Sequence, residues 1–413
     1  MDIWHIRGGR RLCGTASVQG AKNAVLPILA ASVLTGCETR LSNCPDLMDV
    51  DGSVDILRCL GCRVERSEGG MYINSSGPLR STIPHDLMSG MRSSVIFLGA
   101  VLARCGEAVM AMPGGCELGP RPIDLHLSAL RDMGAHITVS AGNIVCSGAL
   151  HGASINLALP SVGATENIMI AACRASGGTV ITNAAREPEI CDLADYLRKM
   201  GADITGDGSS TIFIGPFSPK PSVEHSVMPD RIAAATWLCA CASAGGEVAV
   251  DGAVPAHLVP VTQALREMGC TVDEYPGGIK ICAPDRLRAP RPVATRPYPG
   301  FPTDAQALLM AATLKAEGTS VFTENMFESR FRHVPELRRM GAEISTEGRV
   351  AIVRGVPSLH GAPVTATDLR GSAALLIAAL GAEGETVLHD NCHLRRGYED
   401  PVKVLTALGA EIR

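Results

Sequence analysis

One stretch of eight residues decides the fold: Leu57-Arg58-Cys59-Leu60-Gly61-Cys62-Arg63-Val64. It runs from a Leu through two mixed residues and a Leu to a Gly, then a small residue, a variable residue and a β-branched aliphatic residue. Five further copies, in which Met often replaces the second Leu, begin at residues 130, 197, 265, 337 and 405, at intervals of 67 to 73 residues. So regular a period indicates six copies of one structural unit.

Each unit shares a second feature, an Ala-rich apolar run closed by Gly. These runs cover 23–36, 93–106, 166–178, 231–246, 304–318 and 371–384. A helix that is apolar all round is buried on all sides, so the runs predict six core helices. A short strand follows each run, as at 179–182 and 319–323, and then an amphipathic helix that ends at the repeated Gly in a left-handed C-cap. The unit is therefore a mixed α/β module.

The length of the chain predicts two domains. At 413 residues it is too long for one ordinary core, and six units divide most simply into two sets of three. The Pro- and Ser-rich passage 216–229 falls between the third and fourth units and is interpreted as the connector. Because ligands favour clefts between domains, the chemistry is expected there.

Composition limits the class of protein. Apolar residues make up 46% of the chain and aromatic residues 3%, which is typical of a globular protein with aliphatic cores. The longest apolar runs contain Pro, Arg or frequent Gly and are shorter than the roughly 20 residues that span a bilayer. Residues 1–11 lack the apolar core of a signal peptide, so we expect a cytosolic protein. The net charge of −5 gives no reason to expect nucleic acid or an acidic membrane as partner.

Fifteen cysteines raise the alternatives of disulfides, metal binding or redox chemistry. Their number is odd, and Cys59 and Cys62 form a C-x-x-C that straddles the repeated Gly without a second pair of ligands. Buried thiols acting as small hydrophobic groups explain nearly all of them, and we expect no metal.

Cys116 is the exception among the cysteines. It lies in 112–122, a stretch so rich in Gly and Pro that it predicts a loop, with Arg121 five residues further on. A nearby guanidinium favours the thiolate, so the pattern favours a reactive over a structural thiol.

Two charged residues begin apolar runs. Lys22 precedes the first run, where a cation is unfavourable unless an anion shares the helix N-terminus; a solvated loop lysine is the equal alternative. Asp304 begins the fifth run, where Thr303 or Asp304 capping the helix is the usual explanation.

Several motifs spread along the chain are to be considered together: Gly20-Ala21-Lys22-Asn23-Ala24, Gly114-Gly115-Cys116, Arg121-Pro122-Ile123-Asp124-Leu125-His126, Ser161-Val162-Gly163-Ala164-Thr165, Ala185-Arg186-Glu187-Pro188-Glu189, Phe301-Pro302-Thr303-Asp304 and Arg396-Gly397-Tyr398-Glu399. With these motifs the sequence resembles one family, the UDP-N-acetylglucosamine 1-carboxyvinyltransferases. The resemblance extends over the whole chain.

The resemblance implies a fold. It predicts two inside-out α/β barrel domains, each of three β-α-β-α-β-β repeats around buried helices. Residues 21–229 would form the N-terminal domain with the Cys116 loop, and residues 1–20 plus 230–413 the C-terminal domain with Asp304. The active site would lie in the cleft between the domains.

The resemblance also implies a reaction, the first committed step of peptidoglycan and cell wall synthesis. The enolpyruvyl group of phosphoenolpyruvate passes to the 3′-hydroxyl of UDP-GlcNAc by addition and elimination, and phosphate leaves. The Cys116 loop would close over the substrates, UDP-GlcNAc would bind first, and no metal or organic cofactor would be required.

Site residues follow from the same resemblance. Cys116 would be the general acid and the target of the inhibitor fosfomycin, and Asp304 the candidate base. Cations around phosphoenolpyruvate would be Lys22, Arg121 and Arg396 at its phosphate and Arg330 and Arg370 at its carboxylate, with Asn23 beside them at the sugar. UDP-GlcNAc would be bound by Asn23, Arg92, Arg121, Pro122, Ile123, Asp124, Leu125, Ser161, Val162, Gly163, Asp304 and the backbone of Met326.

Two departures and two alternatives accompany this interpretation. Arg395 stands where the family often has Asp, and Ala233 where Glu is common, which puts the rate rather than the reaction in doubt. The sister enzyme that transfers enolpyruvyl to shikimate 3-phosphate is one alternative, but it has no need of the Cys116 loop. A non-catalytic protein that binds UDP-sugars is the other, but it would have no use for the acid and the base.

Overall fold

A computed structural model of the chain describes residues 2–89, 92–112 and 123–413. Up to residue 230 its elements are β1 (Asp2–Arg7), β2 (Leu12–Ser17), α1 (Lys22–Ala31), β3 (Glu38–Ser42), α2 (Met48–Leu60), β4 (Arg63–Ser67), β5 (Gly70–Asn74), β6 (Thr82–Ile83), α3 (His85–Ser89), α4 (Phe97–Cys105), β7 (Glu107–Ala111), α5 (Asp124–Asp132), β8 (His136–Ser140), β9 (Asn143–Ser147), β10 (Ser154–Asn156), α6 (Val162–Ala172), β11 (Thr179–Thr182), α7 (Pro188–Met200), β12 (Ala202–Thr205), β13 (Thr211–Phe217) and β14 (Ser222–Ser226).

The elements after residue 230 are α8 (Arg231–Ala244), β15 (Gly246–Asp251), α9 (Val259–Glu267), β16 (Thr271–Tyr275), β17 (Gly278–Ala283), β18 (Val293–Ala294), α10 (Thr303–Thr313), β19 (Thr319–Thr323), α11 (Val334–Arg339), β20 (Glu343–Glu347), β21 (Val350–Arg354), β22 (Pro363–Thr365), α12 (Leu369–Gly381), β23 (Glu385–Asp390), α13 (Pro401–Ala407) and β24 (Glu411–Ile412). Short 3-10 helices occupy Arg92–Ile96, Pro255–His257 and Leu394–Arg396.

The described chain forms two compact units. The N-terminal unit contains 20–89, 92–112 and 123–228, and the C-terminal unit contains 2–19 and 229–413. Sheets of the N-terminal unit have the strand orders β14-β3-β5-β4, β6-β7-β9-β8 and β10-β11-β13-β12. Those of the C-terminal unit have the orders β2-β15-β17-β16, β18-β19-β21-β20 and β22-β23-β1-β24.

All of these sheets follow one pattern. The first two strands are parallel, and the remaining neighbours are antiparallel. In every sheet except β14-β3-β5-β4, a core helix lies in sequence between the two parallel strands, because parallel neighbours require a crossover connection. In that sheet α1 comes directly before β3, and β14 comes much later in the chain. The predicted α/β fold of β-α-β-α-β-β repeats is confirmed.

The core of each unit is a set of three packed helices. Helices α1, α4 and α6 pack together in the N-terminal unit, and α8, α10 and α12 in the C-terminal unit. Their side chains are buried on nearly every face, as their uniformly apolar sequences predict. The cores are mainly aliphatic, with a few aromatic side chains such as Phe97 and Trp237.

The repeated glycines have the predicted conformation. Those at 61, 134, 201, 269, 341 and 409 have φ between +90° and +110°, where a Cβ atom is strained. Each directly follows the last turn of an amphipathic helix and lies one or two residues before a strand. The motif therefore turns the chain from helix to strand in every repeat.

The passage 216–229 does more than connect the third and fourth repeats. It contains β14, which pairs in parallel with β3 from Ser222 opposite Glu38 to Ser226 opposite Ser42. Val223 and His225 are buried while Ser222, Glu224 and Ser226 are exposed, which is the alternation of a strand with one covered face. The strand thus supplies the first position of a sheet whose other strands come from the beginning of the chain.

Within the part of the chain that the structure describes, every helix is too short or too polar to cross a membrane.

Candidate active site

Asp304 lies in the first turn of α10 and faces two guanidinium groups. The helix begins at Thr303, after Pro302 in an extended backbone conformation. Asp304 Oδ1 lies 2.7 Å from a terminal nitrogen of Arg330, and Oδ2 lies 3.2 Å from one of Arg370. The Asp304 carboxylate therefore forms part of a cluster of ion pairs and does not act only as a helix cap. Asp304, Arg330 and Arg370, which the sequence predicts separately, are in direct contact, and together with Tyr398 they form what we call the Asp304 cluster.

The two arginines of this cluster are buried. The side chain of Arg330 is only 2% exposed, and it also donates to the carbonyl oxygen of Thr303 at 3.1 Å. Its Nε atom has no hydrogen-bond partner among the described residues. A buried donor without a partner costs free energy, which an entering anion could recover.

Arg370 belongs to α12, whose N-cap Asp368 accepts hydrogen bonds from the backbone N–H groups of Arg370 and Gly371. Burial alone would lower the pKa of the Arg370 guanidinium, but Asp304 and Tyr398 hold that pKa above its ordinary value. The group is therefore a permanent cation in an interior position, suited to a carboxylate or a phosphate.

Tyr398 completes the Asp304 cluster, although sequence reasoning gave it no role. Its hydroxyl accepts a hydrogen bond from Arg370 at 3.3 Å and lies 2.8 Å from the hydroxyl of Thr236. Burial raises the pKa of Tyr398, so the neutral phenol is favoured. The only indication of this role in the sequence is that Tyr398 lies two residues after Arg396, a predicted site residue.

Lys22 is the first residue of α1 and forms a buried ion pair. Its Nζ atom lies 2.5 Å from Oδ2 of Asp49, which is in the first turn of α2, and the side chains are 12% and 5% exposed. The alternative of a solvated loop lysine is therefore wrong. The anion expected beside this helix N-terminus is present as Asp49, a residue that the sequence alone did not single out. Asn23, the next residue of α1, is half-buried.

Six of the predicted UDP-GlcNAc residues of the N-terminal unit lie at the beginnings of two neighbouring helices. Ile123 is the N-cap of α5, and Asp124 and Leu125 form its first turn. Ser161 is the N-cap of α6, where its hydroxyl accepts a hydrogen bond from the N–H of Ala164 at 3.4 Å; Val162 and Gly163 follow. These helix starts present N–H groups suited to binding an anion such as a diphosphate.

His126 joins these two helix starts. A Cβ atom added at Gly163 would lie 3.2 Å from Cε1 of His126, which is closer than most Cβ contacts, so Gly163 leaves room for the His126 ring between α5 and α6. The His126 Nδ1 atom accepts a hydrogen bond from the Asn167 amide at 3.0 Å. Burial lowers the pKa of His126 to about 4, so the neutral ring is present at pH 7.

The remaining predicted residues of the C-terminal unit lie on two loops. Met326 is 38% exposed, and its N–H donates to the carboxylate of Glu324 at 2.8 Å. Arg396 ends a 3-10 helix and is half-buried. Arg395 is exposed, so its charge has the solvent access that limits its influence on Arg396. Ala233 is buried within α8, where its N–H donates to Asp230.

Four predicted site residues are only partly described or not described at all. Cys116, Arg121 and Pro122 lie outside the described residues, as does the side chain of Arg92. The roles of all the predicted site residues stay predictions.

The C-x-x-C of Cys59 and Cys62 forms no disulfide, since both thiols are free. Burial raises the pKa of Cys62 to about 11, which disfavours the thiolate that metal binding needs. Among the described residues, no group of three or more His, Cys, Asp and Glu side chains is arranged to hold a metal ion.

Comparison with known proteins gives consistent results. A model of the EPSP synthase family (3-phosphoshikimate 1-carboxyvinyltransferase) matches residues 6–405. UDP-N-acetylglucosamine 1-carboxyvinyltransferase 2 of Caldanaerobacter subterraneus subsp. tengcongensis is 48% identical over 413 residues, which covers 100% of this chain and 99% of that one. UDP-N-acetylglucosamine 1-carboxyvinyltransferase 1 of Symbiobacterium thermophilum is 50% identical over 414 residues, with 98% and 94% covered.

A solved structure supports the same assignment. The enolpyruvyl transferase NikO from Streptomyces tendae superimposes with a TM-score of 0.89 at 27% identity, covering 100% of this chain and 98% of that chain. The chain therefore belongs to the EPSP synthase family. Within that family, its identity of 48% and 50% to the two relatives above groups it with the UDP-N-acetylglucosamine 1-carboxyvinyltransferases.

Proposed function

We propose that the protein transfers the enolpyruvyl group of phosphoenolpyruvate to the 3′-hydroxyl of the sugar in UDP-GlcNAc and releases phosphate. The observation that carries this proposal is the Asp304 cluster, in which one carboxylate faces two buried guanidinium groups. The names of the relatives at 48% and 50% identity supply the acceptor. Such a reaction would serve peptidoglycan precursor synthesis in the cytoplasm.

The chemistry requires an acid, a base and fixed cations. A proton added to the methylene carbon of phosphoenolpyruvate makes C2 electrophilic, and the sugar oxygen attacks C2 as its own proton leaves. The tetrahedral intermediate then loses a proton from the new methyl group and expels phosphate, which restores the double bond. Cations are needed because negative charge lies on the donor throughout.

Arg330 and Arg370 are suited to the carboxylate of phosphoenolpyruvate. Both guanidinium groups are buried and already oriented by Asp304. An entering carboxylate would share these donors with Asp304, and the planar fork of each group can meet two oxygens at once. Lys22, Arg121 and Arg396 are proposed for the phosphate, with Lys22 exchanging part of its contact with Asp49.

Asp304 is the proposed base. In the absence of substrate its two oxygens are held by the arginines, which stabilise the ionised carboxylate. A substrate carboxylate that takes over part of those contacts would leave an oxygen of Asp304 available to the attacking hydroxyl. The base would thus become competent when the donor has bound.

UDP-GlcNAc is proposed to bind through the residues that the family resemblance implies. Asn23, Arg92, the segment 121–125 and Ser161, Val162 and Gly163 would contact the nucleotide and sugar, and Met326 would contact the sugar through its backbone. The adjacent helix starts of α5 and α6 support this assignment, because their N–H groups favour phosphate.

Cys116 is the proposed general acid and the target of fosfomycin. The loop that carries it would close over the substrates and exclude water from the intermediate. These roles follow from the family resemblance of the motif Gly114-Gly115-Cys116.

The strongest rival is transfer to shikimate 3-phosphate, since the family model is named for that reaction. Solved EPSP synthases from Acinetobacter baumannii are only 19% and 20% identical to this chain and support the fold alone. The identity to the UDP-GlcNAc relatives is more than twice as high.

The test is phosphate release from phosphoenolpyruvate with either acceptor, using wild-type protein, Cys116→Ala and the control Cys59→Ala. We expect phosphate release with UDP-GlcNAc, blocked by fosfomycin, in the wild type and in Cys59→Ala, and little or no release by Cys116→Ala, which lacks the proposed acid. Mass spectrometry should show a fosfomycin adduct on the wild type and on Cys59→Ala but none on Cys116→Ala. Release with shikimate 3-phosphate instead would assign the rival activity, and binding of UDP-GlcNAc without release would refute the proposed catalysis.

A further inference from the structure

The residue just before a repeated Asn differs between repeats. Asn43, Asn183, Asn325 and Asn391 each follow the second strand of a sheet. The side-chain amides of the first three donate to the carbonyl oxygens of Val227, Leu157 and Thr295, at the ends of the neighbouring parallel strands. The residues before the four asparagines are Ser42, Thr182, Glu324 and Asp390. Carboxylates thus occur at this position in the fifth and sixth repeats.

Both carboxylates are fully buried. Glu324 and Asp390 have 0% relative exposure, whereas Ser42 is exposed and Thr182 half-buried. Buried carboxylates are costly unless hydrogen bonds satisfy them. Their presence in two of these repeats therefore indicates a structural role that the hydroxyl groups of Ser42 and Thr182 do not have.

Glu324 connects a loop to the start of α10. Its Oε1 atom accepts hydrogen bonds from the N–H groups of Met326 at 2.8 Å and Phe327 at 3.1 Å, and from the Thr295 hydroxyl at 3.0 Å. Its Oε2 atom accepts from the Thr303 hydroxyl at 3.0 Å. Thr303 precedes Asp304, so one carboxylate fixes the Met326 backbone relative to the proposed base.

Asp390 makes the corresponding connection in the sixth repeat. One carboxylate oxygen accepts from the Ser372 hydroxyl at 3.0 Å, and the other from the N–H of Leu394 at 3.1 Å. Ser372 lies in α12, two residues after Arg370, and Leu394 begins the 3-10 helix that ends at Arg396. Asp390 therefore fixes the Arg396 segment relative to the helix that carries Arg370.

We propose that Glu324 and Asp390 are paired positioning residues that hold two substrate-binding loops on the core helices α10 and α12. Glu324 sets the backbone at Met326 for the sugar nucleotide, and Asp390 sets Arg396 for the phosphate of phosphoenolpyruvate. The roles of Met326 and Arg396 rest on the proposed function, whereas the hydrogen bonds of the two carboxylates do not.

The pairing predicts opposite effects on the two substrates. In Glu324→Ala, loss of the carboxylate should raise KM for UDP-GlcNAc about tenfold, the loss of roughly one ordinary hydrogen bond, and KM for phosphoenolpyruvate by less than about threefold. Asp390→Ala should show the reverse preference. General loosening of the unit would raise both constants alike.

Conservative variants separate positioning from folding. In Glu324→Gln and Asp390→Asn one oxygen still accepts the loop N–H groups, while the new NH2 group can donate to the hydroxyl of Thr303 or Ser372. Both should stay within about threefold of the wild-type KM values, because the hydrogen-bond network is kept. Thr182→Ala, at the equivalent position of the third repeat, is the matched control and should change neither KM.

Hydrogen exchange tests the loops without relying on the substrates. The amides of Met326 and Phe327 should exchange faster in Glu324→Ala, and that of Leu394 faster in Asp390→Ala, with no such change in Thr182→Ala. Crossed effects on exchange and KM support the proposal. Equal rises of both KM values, or unchanged exchange of these amides, would overturn it. If the variants show this exchange pattern but the wild-type protein has no turnover, the proposed function is refuted. The connections that Glu324 and Asp390 make to the loops would still be supported.

Discussion

Lys22 and Asp304 lie in similar places in two different units, yet they have opposite charges and different partners. Both are in the first turn of a core helix, α1 and α10 respectively. Lys22 pairs with the single carboxylate of Asp49, and Asp304 with the guanidinium groups of Arg330 and Arg370. The positive end of a helix favours Asp304 and disfavours Lys22, which makes Asp49 necessary. The repeat therefore places both residues at the start of a core helix, and the sign of the charge determines which side chains pair with it.

The largest effect is expected from Asp304→Asn. The amide keeps the size of the side chain but cannot accept a proton from the attacking hydroxyl, so kcat should fall by about 10² to 10⁴. Steady-state phosphate release measures the rate, and calorimetry measures whether UDP-GlcNAc still binds. A loss of less than about tenfold would remove Asp304 from the role of base.

The Lys22–Asp49 pair should give the next largest effect, on stability. Lys22→Ala removes a buried cation that faces the Asp49 carboxylate, which should cost about 3 kcal/mol of unfolding free energy. In a double-mutant cycle with Asp49→Ala, denaturant unfolding should give a coupling of at least about 1.5 kcal/mol. The exposed pair Arg266–Glu274 is the control and should couple by less than about 1 kcal/mol. Equal coupling in the two pairs would mean that burial is not what matters for Lys22.

Two buried histidines, one in each unit, are expected to make the stability of the protein depend on pH. Burial lowers the pKa of His126, in the N-terminal unit, and of His333, in the C-terminal unit, to about 4 from an ordinary 6.5. The unfolded chain therefore binds more protons between those values. The contribution to stability is complete above about pH 6.5, falls as the pH drops toward 4, and changes no further below that.

For each histidine this loss is on the order of 3 kcal/mol. Denaturation at pH 7 and pH 4.5 should give a smaller difference for His126→Gln and for His333→Gln than for the wild type. An unchanged difference in both variants would show that other groups cause the acid sensitivity.

The smallest effect concerns helix capping. The hydroxyl of Ser161 caps α6 at 3.4 Å, whereas the Asp230 carboxylate caps α8 through two bonds at 2.7 and 3.0 Å. Ser161→Ala should therefore cost only about 0.5 kcal/mol, and Asp230→Ala about 2 kcal/mol. Thermal unfolding measures both, and a larger loss for Ser161→Ala would contradict the ranking.

The sequence predicts the repeat well because its signals are local. The apolar runs, the repeated Gly and the strand that follows depend on neighbours within a few residues, and the structure confirms them in every repeat. Contacts between distant residues are different. Asp49 as partner of Lys22, β14 as partner of β3 and Glu324 as acceptor for Thr303 each depend on chain segments far apart. A single sequence contains no distance between such segments.

The same contrast between local signals and distant contacts applies to the candidate site. Asp304, Arg330 and Arg370 were predicted from the family resemblance, but the contacts of Asp304 with both arginines appear only when α10, α12 and the loop after β19 are folded together. Tyr398 lies within the motif Arg396-Gly397-Tyr398-Glu399, but its hydrogen bond with Arg370 is visible only in the structure. The residue types thus indicate what chemistry the site can perform, and the packing of the chain determines which of these side chains are in contact.

The most direct test identifies the product. Wild-type protein and Asp304→Asn are mixed with phosphoenolpyruvate and UDP-GlcNAc, and the sugar nucleotide is analysed by mass spectrometry and NMR. We expect the wild type to convert UDP-GlcNAc into a product with an enolpyruvyl ether at the 3′-oxygen, and Asp304→Asn to leave it almost unchanged in the same time. Unmodified UDP-GlcNAc in the wild-type reaction, or equal conversion by both proteins, would contradict the account.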